Sequence, residues 1–276
     1  MKMLKLGDVL RFLGIIVVVS LAFVPIYWML NVSLLPETEV IRTSPHYYPP
    51  PDTVTLKAYK EILTEYSVFT FMLNSVIIVS LATLVTLFLS FSIAYSIAKY
   101  NFKLKNYLCY GIIWLLALPW VVYVLPIFKI VSGWGLLDTH ILMIMLYGFS
   151  GIPLFSWFAL PFMHAFPNEL IDAGRLDGCS EWGIVWRIVM PSLRNAVIAL
   201  FILRFVWAYN DLLYSLSFTF HRAKMIMPAL LEFPGQWEMP FAKMAAGGLL
   251  AVLPILLIVV VFQKYVVSGL TGRTLM

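Results

Sequence analysis

The side chains of this chain that could do chemistry gather in two short stretches. The first, Trp207-Ala208-Tyr209-Asn210-Asp211-Leu212-Leu213-Tyr214, mixes aromatic rings with an amide and a carboxylate. Sugars are held by such mixtures, the rings stacking on the apolar faces and the polar groups taking the hydroxyls. Rings at the end of an apolar run equally suit the headgroup belt of a membrane protein, so both readings stay open. Arg204 lies just upstream, inside the apolar run. A charge there is costly and marks a pathway or a buried anchor, here evenly balanced. Asp211 is about 10 Å further along the same helix, too far for a direct pair. The counterpart of Arg204 is expected on another helix or in a water-filled cavity. The second stretch runs from Pro167 to Cys179 and holds Glu169, Asp172, Arg175 and Asp177 around Ala173-Gly174, Leu176 and Gly178. It has the make-up of a contact surface rather than a reaction centre. No G-x-x-x-x-G-K-[ST], H-E-x-x-H or G-x-S-x-G occurs, so this chain is expected neither to hydrolyse ATP nor to act as an enzyme. His46, His140, His164 and His221 are scattered, and Cys109 and Cys179 fall in different compartments, so neither a metal site nor a disulfide is expected.

The elements that must position these residues are apolar helices. Apolar residues make up 62% of the chain and charged residues 12%, a balance that makes lipid the solvent. Six stretches, roughly 9–31, 69–96, 107–131, 140–163, 194–216 and 243–267, reach the ~20 residues that a helix needs to cross the hydrocarbon core. The sequence therefore predicts an all-α membrane protein with six spans in a single domain over 1–276, interrupted by a surface loop at about 167–191. Most of the 19 Lys and Arg residues, among them Lys2, Lys5, Arg11, Lys99, Lys103, Lys105, Arg175, Arg187 and Lys264, fall on the side of the N-terminus. That bias places both termini in the cytoplasm. No basic stripe stands outside the span flanks, so no nucleic-acid partner is expected.

Prolines punctuate the spans at Pro25, Pro119, Pro126, Pro153, Pro161 and Pro254, and Pro119 with Pro126 predicts a kink in span three. Span six carries Ala245-Ala246-Gly247-Gly248, a close-packing patch. The long loop 33–67 contains Pro49-Pro50-Pro51-Asp52 and then helical spacing from Leu56 to Tyr66. In the loop at 167–191, Asn168 is expected to cap a helix with Glu169 and Asp172 in its first turn, and Gly178 to stop it. The small pair Ala173-Gly174 would let a partner surface come close. Asp177 sits against the helix dipole just before the stop. Ser180 is expected to cap a second helix whose Trp182, Val185, Trp186 and Val189 share one apolar face, and Pro191 ends it.

Asp172-Ala173-Gly174-Arg175-Leu176-Asp177-Gly178-Cys179 followed by Met190-Pro191 resembles the EAA loop of the permease subunits of ATP-binding-cassette (ABC) importers, with Asp, Gly and Cys in place of the first Glu, the second Ala and the last Ala. Asn74-Ser75, Ala94-Tyr95-Ser96-Ile97-Ala98-Lys99, Gly135-Leu136-Leu137-Asp138-Thr139, Trp207 to Tyr214 and Phe262 to Gly272 are similar, in the same order, to permeases of the maltose-type sugar importers. The tail after Thr271 is short and departs from that group's usual glycine-and-lysine ending. The resemblance implies a type I ABC importer permease embedded in membrane lipid. It implies a second, different permease as partner, two ATPase subunits that bind the ATP, an extracytoplasmic solute-binding protein, a sugar or oligosaccharide as solute, and no cofactor on this chain. It also implies that Glu169, Asp172, Ala173, Gly174, Leu176, Asp177 and Gly178 couple to the ATPase. Arg204, Trp207, Tyr209, Asn210, Asp211 and Tyr214 are the candidates for the solute path. The alternatives are a non-sugar solute such as a polyol or glycerol phosphate compound, and beyond these an integral-membrane enzyme or a scaffold.

Overall fold

A computed structural model describes residues 6–42, 46–233 and 239–270. The end of the Phe262–Gly272 stretch and the tail after it lie outside the described residues. Helices and loops make up the described chain, with no strand among the described residues. Three helices are long and apolar enough to cross a membrane, and three bent pairs would bring the number to six.

The chain falls into two compact units. The smaller comprises the described residues within 6–70 and 229–253. Its first helix, α1 (Leu6–Ser33), exposes apolar side chains such as Phe12, Val18 and Leu21 all round, as a lipid-facing helix does. The short α2 (Glu37–Val40) and α3 (Lys57–Thr64) follow, the latter where the helical spacing from Leu56 predicts it. Ala58 and Ile62 of α3 point inward. Glu61 holds Lys243 at 2.8 Å, and the Glu37 carboxylate accepts the Ala242 N–H at 3.0 Å. The Ala245–Gly248 patch packs closely, as its composition predicts: a Cβ at Gly247 would collide with Phe233 and Leu230, and one at Gly248 would lie 2.6 Å from Met29.

The larger unit comprises the described residues within 71–228 and 254–270. Its axis is α4 (Val68–Lys99), a 32-residue helix. Around it lie α5 (Lys105–Ala117), α6 (Val121–Gly133), α7 (His140–Ser150), α8 (Ile152–Ala165), α9 (Asn168–Leu176), α10 (Glu181–Ser192), α11 (Arg194–Tyr209), α12 (Leu213–Phe218) and α13 (Ile226–Leu230). The last helix, α14 (Phe241–Leu270), carries Pro254 inside it. The core joins Phe91 and Tyr95 of α4 to Phe155, Ala159 and Met163 of α8, Ile171 of α9, and Ile184 and Val189 of α10.

Three spans are more broken than their prolines alone predict. Span three turns through 96° between α5 and α6, at Leu118-Pro119-Trp120, so it is a break rather than a kink. Span four bends by 47° at Gly151, just ahead of Pro153. Span five does not run to 216: α11 stops at Tyr209 and the chain resumes helix at Leu213. Each break frees carbonyls that lipid cannot satisfy. At span four, polar side chains of α4 take them. Thr86 Oγ1 donates to Gly148 O at 2.8 Å and Ser90 Oγ to Ile152 O at 3.2 Å.

Two of the sequence stretches similar to sugar permeases meet on one segment. Asp138, with φ +57°, accepts the N–H groups of Phe220, His221, Arg222 and Ala223 at 2.9, 3.0, 2.8 and 3.0 Å. Asn74 donates to Arg222 O and Lys224 O and bonds to His140 at 2.9 Å, while Ser75 Oγ accepts the Ile226 N–H. The segment 220–226 is thus clasped from α4 and from the turn before α7.

Candidate functional site

The loop at 167–191 forms the two expected helices, with differences in detail. Pro167, not Asn168, occupies the cap position of α9. Asn168 starts the helix, and its Oδ1 accepts from Lys99 Nζ at 2.7 Å. Gly178 stops α9 with φ +79°, a conformation that favours glycine, and Cys179 N–H reaches back to Gly174 O at 2.9 Å. Ser180 Oγ caps α10 through the Gly183 N–H at 3.2 Å. In α10 the turn Val185–Val189 is wound as a π-helix just ahead of Pro191, which has no N–H to continue the ladder. Trp182 and Trp186 both stack on Phe88 of α4.

Gly174 faces inward, so of the small pair only Ala173 lies on the outer face. A Cβ there would lie 2.5 Å from Ile188 Cδ1, which shows how closely α9 rests on α10. The outer face presents Glu169, Asp172, Ala173, Leu176 and Asp177 to solvent. Leu176 is 90% exposed, an apolar side chain with nothing among the described residues to cover it. Arg175 links the two helices: Nη1 donates to Asp172 Oδ1 at 3.0 Å and Nε to Glu181 Oε1 at 2.8 Å. The other oxygen of Glu181 accepts from the Tyr95 hydroxyl at 2.9 Å. The hydrogen bond from Arg175 holds the Glu181 carboxyl below its ordinary range, and burial with the neighbouring Glu181 pushes the Tyr100 phenol up. Tyr95, Lys99 and Tyr100 were not singled out by the sequence as site residues. Their signal was a Tyr and a Lys one turn apart at the end of a span.

The second candidate is a cavity of about 330 Å³, bounded by Trp120, Tyr147, Ser150, Phe155, Arg204, Trp207, Asp211 and Tyr214 among others. Its rings lie edge to face: Trp120 on Tyr214 at 5.4 Å, Tyr147 on Tyr214 at 5.9 Å and Phe155 on Trp207 at 6.1 Å. Arg204 and Asp211 are its charged groups, and no ion pair joins them among the described residues. Arg204 instead donates to Tyr147 O, to Ser150 Oγ at 3.2 Å and to Thr86 Oγ1 at 3.4 Å, with its guanidinium 5.9 Å from the Phe155 ring. Asp211 lies beyond the end of α11 and accepts from the Tyr147 hydroxyl at 2.8 Å and the Tyr214 N–H at 3.0 Å.

Of the path residues expected from sequence, Arg204, Trp207, Asp211 and Tyr214 meet at the cavity. Tyr209 does not: it is fully buried and stacked on Phe205 at 5.6 Å. Asn210 is exposed and donates back to Val206 O, away from the cavity lining. The sequence missed Tyr147, Trp120, Ser150 and Phe155. The polar and small cluster Tyr147-Gly148-Phe149-Ser150-Gly151 inside an apolar span was the available signal.

Over residues 87–272 the chain matches the family described as binding-protein-dependent transport system inner membrane component. It is 28% identical to the sulfoquinovosyl glycerol transport system permease protein of Agrobacterium fabrum, covering 96% of this chain and 93% of the relative. It is 30% identical to the arabinooligosaccharides transport system permease protein of Bacillus subtilis, covering 90% and 88%. The trehalose transport system permease protein of Mycobacterium tuberculosis is also 30% identical, with 92% and 93% covered. The fold is similar to a chain in the crystal structure of a bacterial ABC transporter involved in the import of the acidic polysaccharide alginate. The TM-score is 0.76 at 17% identity, with 96% of this chain and 99% of that one covered. A shared order of motifs, a shared fold and a family match over most of the chain agree, and the chain belongs to the binding-protein-dependent transport system inner membrane components, the permease subunits of ABC importers.

Proposed function

We propose that this permease forms half of the path by which a sugar or oligosaccharide crosses the membrane, and that it carries part of the solute contact itself. As a family member it is a multi-pass inner-membrane subunit that works with a partner permease, a separate ATPase and a solute-binding protein. In our reading the partner permease is homologous but different and two ATPase subunits attach on the cytoplasmic side. ATP is bound by those subunits, and this chain needs no cofactor of its own. Both termini face the cytoplasm, which cysteine labelling at Thr55→Cys and Lys103→Cys tests: labelling from the same side refutes it.

The observation that carries the solute reading is the ring-lined cavity with Arg204 and Asp211 at its wall. Rings for apolar sugar faces and two charged groups for hydroxyls are what a polyhydroxy solute needs. The relatives named for arabinooligosaccharides and trehalose support the same class. Arg204 at the wall keeps a second reading in view, a polyol or sugar with an anionic substituent. Coupling falls to the exposed Glu169, Asp172, Ala173, Leu176 and Asp177, with Gly174 and Gly178 shaping the helix that presents them. The test is uptake by the complete transporter in proteoliposomes, with its binding protein, across a panel of neutral and acidic sugars and polyols. Trp207→Ala is expected to lower sugar uptake at least tenfold with expression unchanged. Unaltered uptake by that variant, or a system that imports only amino acids or peptides, overturns the reading.

A further inference from the structure

The apolar contacts of α9 and α10 with α4 and α8 bury Ile171, Ile184, Val185 and Val189. Such contacts are non-directional: they hold surfaces together without fixing how one slides along the other. Direction comes from polar contacts, and these form one continuous chain. Asp172 and Glu181 are bridged by the Arg175 fork at 3.0 and 2.8 Å, and Glu181 receives the hydroxyl of Tyr95 at 2.9 Å. One turn further along α4, Lys99 donates to Phe166 O and Asn168 Oδ1, both at 2.7 Å. The inner end of α4 is therefore tied to the start of α9 and to the junction between α9 and α10. The same helix reaches the cavity wall: Thr86, about 13 Å up the helix axis from Tyr95, holds both Gly148 O and Arg204 at the break of span four.

We propose that Glu181 is a positioning residue that clamps the docking element to the inner end of α4, so that α9, α10 and α4 move as one body and carry ATPase motion to the cavity wall. This rests on the docking role assigned above to α9. The Arg175 and Glu181 side chains are 41% and 44% exposed, and an ion pair so screened adds little to folding stability. Its contribution is to register. The chain runs from the exposed Arg175 to the buried Tyr95, joining the outer face of α9 to the packed interior beside α4.

The experiment uses the complete transporter in proteoliposomes and reads three quantities: ATPase subunits retained on purification, ATP hydrolysed, and solute imported. Glu181→Gln keeps the size of the side chain and removes the charge that the fork and the phenol both contact. It is expected to retain the ATPase subunits and hydrolyse ATP within about twofold of the parent, while solute imported per ATP falls about tenfold because the register of α9 and α10 on α4 is no longer held. Tyr95→Phe, which removes only the hydroxyl, is expected to move the ratio in the same direction by less. An unchanged ratio in both variants overturns the clamp. A loss of ATPase subunits in both variants overturns it too, because the residues would then serve assembly. Leu176→Asp separates the underlying reading: it is expected to shed the ATPase subunits, and if it keeps them with normal coupling the docking role of α9 fails regardless of the outcome at Glu181.

Discussion

Replacing Asp138 by alanine removes the carboxylate that four consecutive backbone N–H groups share, those of Phe220, His221, Arg222 and Ala223. Four donors aimed at one anion form an anion-binding concavity made by the chain for its own side chain. A hydrogen bond to a charged group contributes about 1.5–3 kcal/mol when kept from water. Three of these donors lie at exposed positions, where water takes over on substitution, and the Ala223 N–H is partly buried. The net loss is therefore nearer one such bond than four, about 2–3 kcal/mol. Alanine brings a second cost: φ at this position is +57°, which aspartate tolerates and alanine does so at about 1 kcal/mol. Asp138→Gly separates the two, losing the carboxylate without the backbone strain, and Asp138→Asn keeps both a carbonyl acceptor and the tolerated backbone. The expected order of destabilisation is Asn, then Gly, then Ala, read as apparent melting temperature of the purified protein in detergent. Equal melting temperatures for Gly and Ala would refute the backbone term, and a parent-like Ala variant the clasp itself. Acid provides an independent check. Burial pushes the Asp138 carboxyl up, and the four backbone donors together outweigh it, so it lies below its ordinary value. A depressed carboxyl contributes its full stability above the unfolded value of about 3.9, and loses it as pH falls through the folded value. The clasp is thus expected to hold throughout the neutral range and to weaken only in strong acid, and the Asn variant to lack that part of the acid dependence.

Two glycines provide contrasting tests. At Gly151 a Cβ would lie 2.5 Å from Arg204 Nε and 2.8 Å from Thr86 Cγ2, both held by hydrogen bonds, so Gly151→Ala is expected to cost about 2–3 kcal/mol; a parent-like melting temperature would refute that packing. At Gly174 the obstacle is the free end of Ile188, which can turn aside, so Gly174→Ala is expected to cost about 1 kcal/mol and to reduce retention of the ATPase subunits on purification. A variant as destabilised as Gly151→Ala would show that α9 and α10 cannot adjust to each other.

Hydropathy made the spans legible, because each needs a long apolar run and composition alone reveals it. The sites of the breaks were half legible: Pro119 and Pro153 mark them, but the 96° and 47° angles depend on which groups satisfy the freed carbonyls. Those groups, Thr86 and Ser90 of α4 and Arg204 of α11, lie far away in sequence. The same limit explains the surface element. Its caps and stop are local, so Ser180 and Gly178 behave as their types predict. Whether Gly174 faced a partner or α10 was a tertiary matter that one helix period could not decide. Tyr209 shows it again: its neighbours Trp207 and Asp211 reach the cavity, while the turn of the helix sends Tyr209 into the packing against Phe205.

The break in span four and the charge of Arg204 account for each other. A guanidinium at 7% exposure with no carboxylate bonded to it would be expensive in a membrane. A helix end without acceptors' partners would be expensive for the opposite reason. Here α7 ends at Ser150, and the carbonyl of Tyr147, with the negative end of the helix dipole behind it, points at Arg204. The cation therefore finds its counter-charge in a helix terminus rather than in Asp211, which leaves the Asp211 carboxylate engaged by Tyr147 and Tyr214 at another part of the cavity wall. A straight span four would consume the Tyr147 carbonyl within its own ladder and leave Arg204 only the hydroxyls of Ser150 and Thr86. A neutral residue at 204 would leave that carbonyl to the Ser150 and Thr86 hydroxyls, at 3.2 and 3.4 Å, with no cation facing the helix end. Either change alone removes one half of a compensated pair at the wall of the cavity.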